Sequence, residues 1–234
     1  MAVNPENIER FKKEAARAGS KVFIATTADE GVNYILSLVK EKDVQTVVKS
    51  DSILAAGLGL RKQLESNGVR VVETSIVQWI RQVSGGKEAP LDEIAASISA
   101  ATGEKIEPDP GAILQAARRV LKDTYASAGL GITQADFGIA DSGTLVSLEN
   151  EGNARLAAAL PRVHLTLLDG DCIVANLTAA AERIKSSSGG IPGHKVPTFI
   201  TYLTGRNTTG DIPGAFAARA QGPEEEHILI LARQ

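Results

Sequence analysis

Two short β-branched runs constrain this chain most. Val44 to Val48 and Val69 to Val72 read as buried strands, and the segment between them repeats apolar residues at helical spacing through Ile53, Gly57, Leu60 and Leu64. Upstream, Lys21 to Thr26 reads as a strand, followed by a helix through Val32, Ile35, Leu36 and Val39. Strand, helix, strand, helix at this spacing requires a parallel sheet with crossover helices.

The rest of the chain is organised around that core. Ile8, Phe11 and Ala15 share one helical face behind Pro5, and Gly19 ends that helix, so residues 1–20 form an N-terminal helix. Val83 to Pro90 reads as a loop. Leu91, Ile94, Ala95 and Ile98, then Ile113, Ala116, Ala117, Val120 and Thr124, read as two helices with little sheet between them. They are expected to form a helical insertion at about 84–128. Strands return at Phe137 to Ala140, Thr144 to Leu148, Val163 to Leu167, Ile173-Val174, Val196 to Leu203 and His227 to Leu231, with a helix through Leu177, Ala180, Ala181 and Ile184. Ser186 to Gly193 is small and flexible in composition, and Ala215 to Ala220 reads as a mobile loop.

Composition excludes several functions. The formal charge is −3, so no excess of Lys and Arg neutralises a phosphate backbone, and aromatics are only 4%; nucleic-acid binding is disfavoured. A single cysteine, Cys172, makes no intrachain disulfide and holds no iron–sulfur cluster by itself. No apolar run approaches the roughly 20 residues that span a bilayer, and the polar N-terminus lacks a signal-peptide core. A cytoplasmic location and no metal are expected. His164, His194 and His227 are scattered, with no close ligand pair.

Four segments can carry chemistry. In Val47-Val48-Lys49-Ser50-Asp51 a buried strand ends in a lysine just before a helix that Ser50 or Asp51 can cap. Ligands sit at such strand ends, where Lys49 would meet an anion; a plain turn with a surface lysine competes. The densest segment runs from Gly131 to Asp136 and on through Asp141, Ser142, Gly143 and Thr144. Its turn amides can make an anion nest and its carboxylates an acid–base pair, or the aspartates can simply satisfy turn backbone. In Glu149-Asn150-Glu151-Gly152-Asn153-Ala154-Arg155, carboxylates and amides follow a strand, and Glu151 can be a nucleophile or base; a capped helix start is the alternative. In the tail, Arg206 among glycines and hydroxyls near Asp211 can clamp an anion. There is no Walker loop, no dinucleotide fingerprint and no nucleophile elbow.

Across these residues the chain resembles the LUD-domain (lactate utilization) family, which includes the LutB and LutC proteins. The resemblance rests on Val47-Val48-Lys49-Ser50, on Gly68 to Thr74, on Gly131-Ile132-Thr133 with Ala135-Asp136, and on the block from Ile139 through Asn150-Glu151-Gly152-Asn153-Ala154-Arg155-Leu156 to His164. Thr204-Gly205-Arg206, Gly210-Asp211 and Gly222-Pro223-Glu224-Glu225 with His227 complete it. It implies an α/β fold like that of the NagB/RpiA/CoA-transferase group, a parallel-sheet core with a smaller α/β lobe, with residues 21–234 as a single LUD domain. The Asn-Glu-Gly-Asn form looks closer to LutB, whose members continue into a cysteine-rich region; ending at Gln234, the chain is expected to be a stand-alone domain of LutC size.

The resemblance also implies a part in oxidising L-lactate to pyruvate beside iron–sulfur-bearing subunits, with no cofactor in this chain. The chain would bind a small anionic metabolite or dock the partner, and homo-oligomerisation is open. The alternative is an independent transferase or isomerase acting on a CoA ester or phosphorylated metabolite. Asp136, Asp141 and Glu151 are the candidates for catalysis. Lys49, Ser50, Ser142, Gly143, Thr144, Asn150, Asn153, Arg155, Arg206 and Asp211 are the candidates for ligand contact.

Overall fold

The computed structural model describes residues 4–86, 89–186, 196–206, 208–212, 215–218 and 222–232; for 208–212 and 215–218 the backbone alone is described. In chain order the elements are α1 (Pro5–Arg17), β1 (Lys21–Ala25), α2 (Ala28–Glu41), β2 (Thr46–Lys49), α3 (Ile53–Gly57), α4 (Leu60–Ser66), β3 (Arg70–Glu73), α5 (Ile76–Val83), α6 (Leu91–Thr102) and α7 (Pro110–Ser127). They continue as β4 (Leu130–Ala135), β5 (Phe137–Ile139), β6 (Thr144–Glu149), α8 (Asn153–Ala159), β7 (Val163–Asp169), β8 (Ile173–Val174), α9 (Leu177–Ser186), β9 (Phe199–Leu203), β10 (Thr208–Ile212), β11 (Ala215–Ala218) and β12 (Glu225–Leu231).

The core is a six-stranded sheet in the order β1-β12-β7-β4-β2-β3, with every neighbouring pair parallel. Such a sheet must be covered on both faces. On one face Ile35, Leu38, Leu54, Leu58, Leu60 and Leu64 of α2 to α4 pack against Val47, Leu130, Leu165 and Leu229. On the other, α5, α6 and α7 close over Val48 and Val72 around Trp79, Ile98, Ile113 and Ala117. A second, smaller sheet, β8-β5-β6-β9, covers the remainder of that face together with α1, through Phe11, Ala15, Leu145, Leu168 and Ile230. The parallel sheet with crossover helices is the one the strand and helix spacing predicts, and the α/β class is the one the family resemblance implies.

Three local expectations change. The helix expected from Ile53 to Leu64 is two helices, because Gly59 takes a left-handed φ of +57° and becomes the N-cap of α4. Helix α5 is not among the sequence expectations, although Ile76, Trp79, Ile80 and Val83 carry its apolar stripe. Ala215–Ala218, expected as a mobile loop, pairs antiparallel with β10.

Two features of the topology position a site. From β2 the chain moves outward to β3, whereas from β4 it moves inward to β7. The adjacent strands β2 and β4 therefore form a topological switch point, where loops leaving their carboxyl ends part and open a crevice. The second is Gly131 on β4. A Cβ there would stand 1.8 Å from the Ala157 carbonyl oxygen, so only glycine lets α8 lie this close to the sheet. Among the described residues no helix is long and apolar enough to cross a membrane.

Candidate functional site

A crevice of about 370 Å³ opens at the β2/β4 switch point. Its floor and walls come from Ser50 to Ile53 after β2, Ser75 after β3, Gln134 and Asp136 at the end of β4, and Ser147 to Glu151 with Asn153 at the end of β6. The loop after β2 is pinned from across the crevice. Ser52, rather than Ser50 or Asp51, caps α3 by accepting Ala55 N–H at 2.9 Å, and its hydroxyl donates to Gln134 Oε1 at 2.8 Å. The same Gln134 oxygen accepts Leu54 N–H at 3.1 Å. A strand-end glutamine thus completes the helix start that a short polar side chain begins.

Two carboxyls on one wall have perturbed acidity. Asp136 stands at the rim, yet crowding around its carboxyl pushes the pKa up by desolvation, opposed by Leu148 N–H, which donates to Oδ2 at 2.6 Å. Burial also raises Glu149, opposed by Ala154 N–H, which donates to Oε2 at 3.0 Å, and by Arg155; the charge of Asp136 adds to the rise. Glu149 Oε1 is buried with no hydrogen bond, and Arg155 Nε lies 3.9 Å from it. The exposed Arg155 guanidinium stacks over the Phe199 ring at 4.2 Å. Desolvated neighbouring carboxyls in a crevice are suited to taking up and releasing protons.

The sequence candidates divide between this crevice and other places. Ser50, Asp136, Asn150, Glu151 and Asn153 line it. Glu151 accepts Ile76 N–H at 3.3 Å and the Ser75 hydroxyl at 3.5 Å, so its carboxylate caps α5. Asn150 Oδ1 accepts Thr198 N–H at 2.9 Å, and Asn153 Nδ2 donates to Thr74 Oγ1 at 3.1 Å. Tyr125, its phenol pushed up to about 12 chiefly by burial, donates to the Asn153 carbonyl at 3.4 Å.

Lys49 does not line this crevice but an adjoining hollow, with Asp51, Ser52 and Glu73. It is buried, ion-paired with Glu73 at 2.9 Å, and donates to the Ser50 carbonyl at 3.0 Å. Asp141, Ser142, Gly143 and Thr144 lie at the far end of the β5–β6 hairpin from Asp136. There Gly143 meets the backbone of Ala15 in α1, and Ser142, Thr144 and Thr204 form a hydroxyl chain with links of 2.8 and 2.7 Å. Arg206 lies against Gly19 at the turn into β1, its backbone N–H donating to Ala18 O at 3.3 Å. Asp211 is on β10, and its side chain lies outside the description, as does all of His194.

Gln134, Glu149, Ser52 and Ser75 complete the site; Gln134 and Glu149 lie within candidate segments but are not among the residues given individual roles, and Ser52 and Ser75 lie outside those segments. Glu149 was legible as the last residue of a strand directly before a helix start. The role of Gln134 depends on the β2/β4 pairing and leaves no trace in local sequence. His164 and His227 lie on neighbouring strands but project to opposite sheet faces, since Glu226 and not His227 is the register partner of His164. Among the described residues no group of three or more His, Cys, Asp or Glu is placed to hold a metal. Cys172 has a thiol pKa pushed up by burial first and by Asp169 next.

Comparison with known proteins agrees with this architecture. The LUD domain model matches residues 8–231. Lactate utilization protein B of Shouchella clausii is 31% identical over 234 residues, covering 96% of this chain and 48% of that protein. The protein of the same name from Lysinibacillus sphaericus is 32% identical over 241 residues, covering 97% of this chain and 49% of that protein. The chain therefore spans about half the length of these curated relatives. A crystal structure of a DUF162 family protein from Deinococcus radiodurans superposes with a TM-score of 0.54 at 13% identity, covering 97% and 96% of the two chains, a likeness of fold. With the family model matched from the first helix to the last strand, the chain belongs to the LUD domain family.

Proposed function

We propose that this domain serves lactate utilization by holding a small 2-hydroxy or 2-oxo monocarboxylate in the β2/β4 crevice, on the substrate side of an assembly whose other subunits carry iron–sulfur clusters. The observation that carries the reading is the wall on which Asp136 and Glu149 are both held above the usual carboxylate range. The names of the full-length relatives supply the metabolite class.

In this reading each residue has one task. Arg155 turns from its 3.9 Å contact with Glu149 to pair with the substrate carboxylate. Glu149 or Asp136 accepts the proton of the 2-hydroxyl, because a desolvated carboxylate is the stronger base. Ser50, Ser75 and Asn153 offer hydroxyl and amide groups at the lip. One cysteine does not hold a cluster, so these residues are assigned binding and proton handling, and the electron acceptor is assigned outside them.

A CoA ester or sugar phosphate fits less well. Its multiple negative charges would face Asp51, Asp136, Glu149 and Glu151, whereas a monocarboxylate brings a single charge for Arg155 to pair.

Titration calorimetry of the purified chain with L-lactate, pyruvate, acetyl-CoA and ribose 5-phosphate tests the proposal. Binding of the monocarboxylates is expected, weakened roughly tenfold or more in Arg155→Ala, as loss of a charge-assisted contact predicts. Affinity should rise as pH falls and the two acids take up protons, and this dependence should weaken in Glu149→Gln. Binding of a phosphorylated ligand with no heat from either monocarboxylate overturns it.

A further inference from the structure

The polar residues of β7 alternate with leucines as if they faced water, yet His164 and Thr166 are 1% and 2% exposed. They lie on the sheet face roofed by α8 and the small sheet. His164 Nδ1 is 3.1 Å from Glu226 Oε1 on β12, and Nε2 is 2.8 Å from Thr133 Oγ1 on β4 and 3.4 Å from Thr166 Oγ1. A carboxylate, an imidazole and a hydroxyl in line have the connectivity of a nucleophilic triad. The space beside them decides otherwise. Thr133, His164 and Thr166 border a cavity of about 30 Å³, whose wall also includes Glu149 and Arg155. That volume admits a water or two, and no acyl or glycosyl substrate.

Two further observations give the cluster a direction. Ser147, Glu149 and Ala154 line both this cavity and the crevice, so the Glu149 side chain stands in the partition between them. Among the described residues three buried carboxylate oxygens accept no hydrogen bond: Glu73 Oε2, which pairs with Lys49, and, beside this route, Glu149 Oε1 at the partition and Glu226 Oε2 on the far side of His164. Buried orphan acceptors are costly and call for an unseen partner or a mobile proton.

We propose that His164 and Glu226 form a buried proton store for the crevice, exchanging a proton with Glu149 through water held in the cavity. This deepens the proposed function, since it serves the same carboxyl. In the inward step the Glu149 O–H bond breaks and its proton passes to the water. That water hands one of its own protons to a threonine hydroxyl, and the hydroxyl proton bonds to His164 Nε2. The products are a Glu149 carboxylate and an imidazolium beside the Glu226 carboxylate. The buried charge thus arrives already paired, which separates this site from one where a lone ion would be stranded. The ionisable groups facing the route are Glu226 from β12, Glu149 from β6 and Arg155 from α8. His164 and Glu226 touch no crevice space and act as positioning residues for the proton.

The test needs no substrate, so it stands apart from the lactate reading. Nitrogen-15 spectra of the histidine rings, recorded from pH 4 to 9 on the full chain, report the protonation of Nδ1 and Nε2 of His164 directly; His227→Gln assists assignment. The expected result is a His164 protonation step whose midpoint moves by half a pH unit or more in Glu149→Gln. Thr133→Val should slow or abolish proton exchange at Nε2 while leaving the Glu226 contact. A crystal structure should show water bridging Glu149 and Thr133 or Thr166. A ring fixed in one neutral tautomer throughout, or a step indifferent to Glu149→Gln with the cavity dry, overturns the proposal. If monocarboxylates fail to bind while the coupled titration appears, the functional reading falls and the proton store stands.

Discussion

Lys49 and Glu73 are register partners on adjacent parallel strands, and their side chains meet in a buried ion pair of 2.9 Å. The contact lacks hydrogen-bond alignment at Glu73 Oε2, so charge attraction does most of the holding. Removing one partner strands a charge, and such changes cost about 3–5 kcal/mol, whereas replacing both with apolar residues is often close to neutral. Lys49→Met should therefore lower the urea midpoint strongly, and Lys49→Met with Glu73→Leu should recover much of the loss. If the single variant is as stable as wild type, the pair contributes nothing and Lys49 is available to a ligand.

Glu151 gives a sharper separation between structure and catalysis. Its carboxylate accepts Ile76 N–H at 3.3 Å and the Ser75 hydroxyl at 3.5 Å, where the exposed start of α5 needs an acceptor. Loss of a cap of this kind costs about 0.5–2 kcal/mol, and bonds this long belong at the low end. Glu151→Ala is expected to lower Tm by a few degrees while leaving monocarboxylate affinity within about threefold, on the order of 0.6 kcal/mol. A loss of binding with unchanged Tm would move Glu151 from the cap to the ligand.

The same contrast explains what the sequence could and could not reveal. Strands β2 and β3 were legible because Val47, Val48, Val71 and Val72 leave no other comfortable conformation. Lys49 was legible as a strand end but not as an ion pair, since Glu73 reaches it only through sheet register. Asp136 and Asp141 are five positions apart, and adjacency suggested a carboxylate pair. A strand between them sends them to opposite ends of a hairpin, and the partner on the crevice wall is Glu149, thirteen residues from Asp136. His164 was hidden for a different reason. Period-two alternation marks which face a side chain takes, but not whether water or another sheet covers that face.

Acid should destabilise the domain through β12. Lys21 first, then Lys42, hold the Glu225 carboxyl down to about 2, by contacts of 2.7 Å each. Burial holds His227 below its ordinary value of 6.5, with Tyr34 OH 2.8 Å from Nδ1. For both groups the unfolded chain takes up its proton at a higher pH than the folded one. The contribution is whole above the unfolded value and is lost as pH falls, from about 6.5 downward for His227 and from 4.5 towards about 2 for Glu225. Chemical denaturation between pH 8 and 3 should show two falling phases. His227→Gln should flatten the upper one and Glu225→Gln the lower, and a flat profile in wild type would contradict both assignments.

Gly131 and Gly59 should differ sharply when each becomes alanine. At Gly59 a Cβ meets nothing within 4 Å, so the cost is the left-handed φ of +57° alone, on the order of 1 kcal/mol. At Gly131 the backbone is ordinary strand, but the Cβ would stand 1.8 Å from Ala157 O and 3.1 Å from Pro161 Cγ. Backbone cannot swing aside as a side chain can, so α8 must lift off β4. Lifting α8 carries Ala154, Arg155 and Ala158 with it, opening the roof of the cavity beside His164 and shifting the Ala154 N–H that Glu149 accepts. Gly131→Ala should therefore cost several times the loss seen in Gly59→Ala by denaturation, and it should weaken monocarboxylate binding, which Gly59→Ala leaves intact. Equal and small losses at the two positions would mean that α8 moves freely over the sheet, and the narrow cavity beside His164 would then have no structural basis.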